Sequence, residues 1–189
     1  GLYLFHKTEG VLAYYHKNSV PALSSNEVYF VEEDDQGYLW LGTNGGGVNV
    51  ISPDRKEVRH LNREHDGLSS NVIYGMLRQE NGDCWFSTSK GLSHYNIAED
   101  KFFNYYTIDG LCDDDLNYNS YLKGHDGRMY FGSINGISAF YPEEMKSVGN
   151  RNVRLFVLPV SKWDEQTKTF SMINNFRGEG DEIVLHSPN

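Results

Sequence analysis

The sequence predicts an all-β fold, and three observations carry that prediction. The first is composition: 13 Tyr, 10 Phe and 19 Gly against only 5 Pro in 189 residues, a balance that favours strands joined by tight turns over helices. The second is repetition. Gly37, Gly82 and Gly127 stand 45 residues apart, as do Trp40, Trp85 and Tyr130, and Thr43, Thr88 and Ser133. Leu23-Ser24-Ser25-Asn26 returns 45 residues on as Leu68-Ser69-Ser70-Asn71, each followed by an apolar residue and then by Tyr29 or Tyr74. The third is that the segment around Trp40 is apolar on both faces of a strand, with Tyr38 and Trp40 on one side and Leu39 and Leu41 on the other.

A sheet that is apolar on both faces must be covered on both faces. A 45-residue period lies in the range of four-stranded propeller blades, which cover one another in this way. The fold expected is therefore a partial β-propeller of about three blades, residues 1–145, followed by an incomplete β-sandwich segment, residues 146–189.

Each element follows in order. Residues 1–16 read as the third and fourth strands of one blade. Residues 27–62 make a whole blade: Val28–Glu33 as first strand, Tyr38–Thr43 as second, Val48–Ser52 as third and Glu57–Leu61 as fourth. Gly37 sits in the first turn. The equivalent pairs Asn81-Gly82 and Asp126-Gly127 are strong hairpin signals, in a turn type where both residues need positive φ. Asp66-Gly67-Leu68 then carries the chain to a second blade over 71–107, and a last unit runs from about 116 to 142. In this frame Trp40 and Trp85 pack between blades, with Tyr130 at the matching position of the last unit, and truncating either tryptophan costs about 3–5 kcal/mol. Beyond the repeats, Val153–Val160 and Glu182–His186 read as strands of the sandwich.

Bulk properties exclude several functions. The formal charge of −9 repels phosphate backbones and anionic lipid, so no nucleic acid and no membrane surface is expected as a partner. Val153–Val160, the longest apolar stretch, is broken by Arg154 and Pro159, well short of a membrane span. From the strand-like opening Gly1–Phe5, a segment cut from a longer chain is expected. Cys84 and Cys112 form no CxxC pair; they are either a bridge or, the preferred reading, two buried thiols.

Catalytic chemistry finds little support. Gly42, Gly45, Gly46 and Gly47 fit neither a Walker nor a dinucleotide-binding spacing, and Val48–Ile51 after them is a strand and not a helix. Seven histidines are scattered without zinc spacing. The run Asp113-Asp114-Asp115 is a solvated loop in preference to a Ca²⁺ site. No catalytic residue, metal or cofactor is expected.

The unit Gly37-Tyr38-Leu39-Trp40-Leu41-Gly42-Thr43, followed by glycines and a short strand, resembles the two-component regulator propeller repeat. Gly82-Asp83-Cys84-Trp85-Phe86-Ser87-Thr88 is a second copy, with Ser87 in place of the usual glycine. Gly110–Asn117 with Asp126–Ile137 resembles that family's last repeat, departing at Asp114 and Asp115. The resemblance implies the periplasmic sensor region of a hybrid two-component sensor histidine kinase of Bacteroidetes. It also implies an immunoglobulin-like sandwich after the propeller, a glycan fragment as ligand and a homodimeric parent receptor held in the membrane by flanking segments. The rivals are a protein-interaction scaffold using open blade edges and a propeller enzyme acting on glycans. If there is a ligand face, it lies on the loops entering each first strand and those joining second to third strands. The candidates there are Asn26, Asn44, Ser69, Asn71, Lys90, Asp114, Asn117 and Asn135. Ser and Asn in such slots also cap turns.

Overall fold

The computed structural model describes residues 1–145, 160–164 and 167–173. The chain divides into two compact units, Gly1–Asn150 and Arg151–Asn189. In the first unit, β1 (Leu2–His6) and β2 (Gly10–Tyr15) pair antiparallel. A four-stranded blade follows in sequential order: β3 (Val28–Glu33), β4 (Leu39–Thr43), β5 (Val48–Ile51) and β6 (Val58–Leu61). A second blade repeats it with β7 (Ile73–Arg78), β8 (Cys84–Thr88), β9 (Gly91–Asn96) and β10 (Lys101–Tyr105). The third sheet holds β11 (Leu116–Lys123), β12 (Met129–Ser133) and β13 (Gly136–Phe140). The strands expected from the 45-residue period are thus present, with ends shifted by a residue or two. In the second unit, β14 (Val160–Asp164) and β15 (Thr169–Ile173) form an antiparallel hairpin. The expected strand at Glu182–His186, and Val153–Val160 apart from Val160, lie outside the described residues.

Packing between sheets is where the apolar residues go. Leu41 and Ile51 meet Tyr15 and Leu23 on one side of the first blade. Trp40, Val48 and Val50 meet Ile73, Met76, Cys84 and Phe86 of the second blade on the other. Trp85 and Leu92 in turn meet Leu116, Met129 and Phe131 of the third sheet. The alternation of Trp40 and Leu41 onto opposite faces thus places them in different inter-sheet cores. Trp85 is fully buried, stacked on His94 at 4.3 Å and tilted against Phe140 at 4.9 Å.

The hairpin after each first strand corrects one expectation. Gly37, Gly82 and Gly127 take φ of 83°, 93° and 85°, but Asn81 and Asp126 keep negative φ. The turn is one residue longer than the two-residue type. Gly37 N–H bonds to Asp34 O and Asp34 N–H to Tyr38 O, both at 2.9 Å, and the same pair recurs at Gln79–Asp83 and Gly124–Arg128. Only the last turn residue, the glycine, needs the left-handed region, as in a type I turn closed by a glycine bulge. A second addition is α1 (Arg63–Asp66), a single turn capped by the Asn62 side chain on His65 N–H at 2.9 Å and stopped by Gly67 at φ 83°. Cys84 and Cys112 are both free; Cys84 is buried, but Cys112 is exposed, against the expectation of two buried thiols.

Candidate ligand-contact face

One end of the three sheets is built by the loops that enter each first strand and by those that join second to third strands. Two hydrogen-bond devices, repeated in these three sheets, fix them. In the first, the hydroxyl ending the second strand closes the turn that follows: Thr43 Oγ1 donates to Gly47 O at 2.7 Å, Thr88 Oγ1 to Gly91 O at 2.8 Å and Ser133 Oγ to Gly136 O at 3.0 Å. In the second, a buried polar side chain of the third strand accepts from the backbone of the entry loop. Ser24 N–H donates to Asn49 Oδ1 at 2.9 Å, Ser69 N–H to Ser93 Oγ at 3.1 Å and Cys112 N–H to Ser138 Oγ at 3.0 Å. These contacts explain why small hydroxyl and amide residues recur at these slots: buried backbone groups of a loop need partners that side chains supply.

With the loops held, each first strand carries an irregularity in the same place. Val28 pairs with Thr43 but Phe30 with Gly42, which leaves Tyr29 as an extra residue. Ile73 pairs with Thr88 and Gly75 with Ser87, leaving Tyr74 extra. In the third sheet Leu116 pairs with Ser133 and Tyr121 with Phe131, so a longer bulge spans Asn117–Ser120, with Asn119 at φ 55°. A bulge turns a side chain out of its alternation. Here three bulges bring three tyrosines together. Tyr29 and Tyr74 stack with centroids 6.1 Å apart, Tyr118 meets Tyr29 edge-on at 4.9 Å, and the Tyr118 hydroxyl donates to Tyr29 O at 3.3 Å. Tyr118 is 54% exposed, and Tyr29 and Tyr74 are half-buried. The result is a contiguous aromatic surface made from three sheets.

Acidic groups surround it. Glu27 precedes β3 and accepts from Asn44 Nδ2 at 2.9 Å. Partial desolvation and then the Glu27 carboxylate push the Tyr29 phenol above its ordinary value. Desolvation followed by Asp115 does the same to Tyr74.

The residues singled out from sequence fall into four groups. Ser69 is buried, with its hydroxyl bonded to Thr88 Oγ1 at 3.0 Å and Ser93 Oγ at 2.7 Å, so it braces the loop. Asn26, Asn71 and Asp114 use side-chain oxygens to hold backbone N–H groups of Lys17, Arg63 and Thr107. Asn44 and Asn135 bond to acidic neighbours, Glu27 and Asp113, and Asn135 is exposed. Lys90 is exposed at the tip of the β8–β9 loop, and Asn117 opens the third bulge. The tyrosines were missed as site residues. Tyr29 and Tyr74 do repeat at the 45-residue spacing, but nothing in the sequence marks them as displaced from the strand alternation.

At the opposite end of the sheets lie two clefts between neighbours. One, of about 450 Å³, is walled by Asp34, Tyr38, Trp40, Arg59 and Tyr95. The other, of about 540 Å³, contains His94, whose Nε2–H donates to Asp83 Oδ2 at 3.1 Å. Burial lowers the His94 pKa, against the pull of Asp83. Among the described residues, no serine, threonine or cysteine lines that second cleft. Among the described residues no group of three or more His, Cys, Asp or Glu is placed to hold a metal ion, and no helix is long and apolar enough to cross a membrane.

Comparison with known proteins gives these features a context. Residues 22–45, the first entry loop through the β4–β5 turn, match the two component regulator propeller model. Over 135 residues, 71% of its length, the chain is 27% identical to histidine kinase P4 of Formosa agariphila, of which it spans about a tenth. The fold resembles the extracellular domain of a putative hybrid two component system of B. thetaiotaomicron, with TM-score 0.58 and 20% identity over 85% of this chain and 25% of that one. It also resembles PorZ, a surface component of the type-IX secretion system of Porphyromonas gingivalis, with TM-score 0.52 and 19% identity over 71% of this chain and 21% of that one.

Proposed function

From a chain that carries the two-component regulator propeller repeat, we propose a non-catalytic sensor module on the extracytoplasmic side of a two-component histidine kinase. Its ligand is a glycan fragment that lies on the tyrosine face. The periplasm is the compartment, a second copy of the receptor is the partner in signalling, and residues 146–189 begin an immunoglobulin-like sandwich that links propeller to membrane segment. The single observation that carries the ligand reading is the alignment of three bulges. The 45-residue repeat alone would bury or alternate these tyrosines; the extra residue in each first strand turns them toward a common surface instead. Sugar rings present apolar C–H faces, and aromatic rings stack on them while nearby amides and carboxylates take the hydroxyls.

The relatives support the signalling part through their own descriptions as a histidine kinase and as an extracellular domain of a two component system. The test is binding of an oligosaccharide panel by calorimetry to this chain and to its Tyr29→Ala and Tyr118→Ala variants. Binding by the parent that falls at least tenfold in each variant is the expected result. Binding unchanged in both variants would remove the tyrosine face from the reading.

One observation favours a second reading, an interaction scaffold. Tyr3, Phe5 and Val11 of the first hairpin are 59–67% exposed, and Leu122 and Ile137 of the third sheet are 62% and 64% exposed. Such apolar sheet surface is of the kind that pairs with other protein. A chain that stays monomeric at high concentration in light scattering counts against this reading.

A further inference from the structure

The loops around the tyrosine face carry an uneven set of charges. Glu27, Asp113, Asp114 and Asp115 supply four carboxylates, against the cations Lys17 and Lys90 in the entry and second-turn loops. The connector α1 adds Arg63 but also Glu64 and Asp66. Among the described residues, no ion pair neutralises Glu27, Asp113, Asp114 or Asp115: Glu27 takes an amide hydrogen from Asn44, Asp113 one from Asn135, and Asp114 the Thr107 backbone N–H. Amide donors satisfy a carboxylate without cancelling its charge.

Two of these carboxylates, Glu27 and Asp115, sit close enough to the tyrosines to act on them. The Glu27 and Asp115 charges both disfavour ionisation of the phenols they face, Tyr29 and Tyr74, after desolvation has already done so. On the same strands Tyr121 is raised by burial and then by Glu32. Glu27, Asp115 and Glu32 thus act on these phenols in one direction.

We infer that the tyrosine face selects by charge: it takes a neutral hydroxylated ring ligand and rejects uronate or sulfated ones. This rests on the reading of the face as the ligand site and goes beyond it, because stacking alone would accept a neutral and an acidic sugar equally. A uronate carboxylate placed over Tyr29 and Tyr74 would meet the Glu27 and Asp115 carboxylates. Like charges at close range are penalised, and the penalty is screened by salt.

The experiment has two arms on the same 189-residue chain. In the first, amino-TEMPO and carboxy-TEMPO are compared as relaxation probes of the ring protons of Tyr29, Tyr74 and Tyr118 by NMR. The cationic probe is expected to broaden them at least threefold more than the anionic one at low salt, with the gap closing in 0.5 M NaCl. In the Glu27→Gln/Asp115→Asn double variant the ratio moves toward one. Equal broadening, or stronger broadening by the anionic probe, overturns the inference whether or not any sugar binds. In the second arm, xylotetraose, mannotetraose and tetragalacturonate are titrated at low salt. The expected result is that a neutral tetrasaccharide binds at least tenfold tighter than tetragalacturonate and that the double variant narrows the difference. Tetragalacturonate binding as tightly as the neutral sugars overturns charge selection and leaves the ligand site standing. A negative potential in the first arm with no sugar binding in the second overturns the ligand site, and the inference with it.

Discussion

Trp40 donates its indole N–H to Asp34 Oδ2 at 2.9 Å, whereas Trp85, at the same position one repeat later, has an indole N–H with no partner among the described residues. The difference traces to one position of the repeat. Asp34 is 9% exposed and also accepts the backbone N–H groups of Gln36 and Tyr38, each at 2.9 Å. The residue 45 positions on is Gln79, and the nearby Asp83 is taken up by His94, Asn81 and Ile97 N–H.

Trp40→Phe is therefore expected to destabilise more than Trp85→Phe. Both lose similar apolar surface, but the first also strips one of three donors from a buried carboxylate. An unpaired buried group costs about 1–3 kcal/mol, so the two variants should differ by roughly that amount in urea denaturation. Equal losses would mean that the Asp34 bond contributes nothing net.

A second prediction concerns the pair that follows Trp in each blade. Gly42 faces Phe30 across the strands, Ser87 faces Gly75, and Gly132 is contacted by Ser120. A Cβ on Gly42 would overlap the Phe30 ring, and one on Gly75 would overlap the Tyr121 ring of the next sheet. Where the second strand gives up its glycine for Ser87, the first strand supplies Gly75. Gly42→Ala and Gly75→Ala should each cost about 1–3 kcal/mol through overpacking. Ser87→Ala is expected to be neutral or stabilising by up to about 1 kcal/mol, because the Ser87 hydroxyl is buried without a partner among the described residues. Thermal unfolding of the three variants checks the ordering.

That pair also marks how much could be read before the structure. Ser87 stood out in the sequence as a departure from the repeat, but its compensation by Gly75 lies on another strand and is visible only once the register is known. The strands themselves were legible because Trp40, Trp85 and the turn glycines fix both period and face. The bulges were not. An extra residue such as Tyr29 leaves the alternation intact on either side of it, and no residue type announces it. The candidate site was half legible for a related reason. Ser and Asn suit a ligand and a loop brace equally, and Ser69 and Asn71 turned out to brace. The bulged tyrosines read as ordinary strand aromatics until pairing showed them displaced.

The buried latch hydroxyls give a third prediction. Thr88 is fully buried, and its Oγ1 donates to Gly91 O at 2.8 Å, meets Ser69 Oγ at 3.0 Å and accepts Lys90 N–H at 2.9 Å. Thr88→Val keeps the shape and removes all three bonds, so a loss of about 2 kcal/mol or more is expected. Hydrogen exchange should show the protection of Lys90 N–H falling with it. A stable variant with an unchanged exchange pattern would show that the loop is held by other contacts.

The two thiols should part company in both reactivity and pH dependence. Cys112 is exposed and should react with a disulfide reagent such as DTNB in the native chain, whereas Cys84 should react only after unfolding. Burial first, with smaller opposing effects from Arg78, pushes the Cys84 thiol up to about 12. A raised folded value means that the fold favours the neutral thiol. Its contribution is present in full below the unfolded value near 9 and is lost as pH rises from there toward 12. Tyr95 adds to the same limb from a later start: burial and then its hydrogen bond to Asp100 raise its phenol to about 12, so its share begins to be lost near pH 10. Stability measured between pH 8 and 11 should therefore fall, and Cys84→Ala should flatten the part of the fall that begins near pH 9. Tyr95→Phe should spare that part and flatten only the region above pH 10. A Cys84→Ala profile that runs parallel to the parent would show that the thiol is not the group responsible.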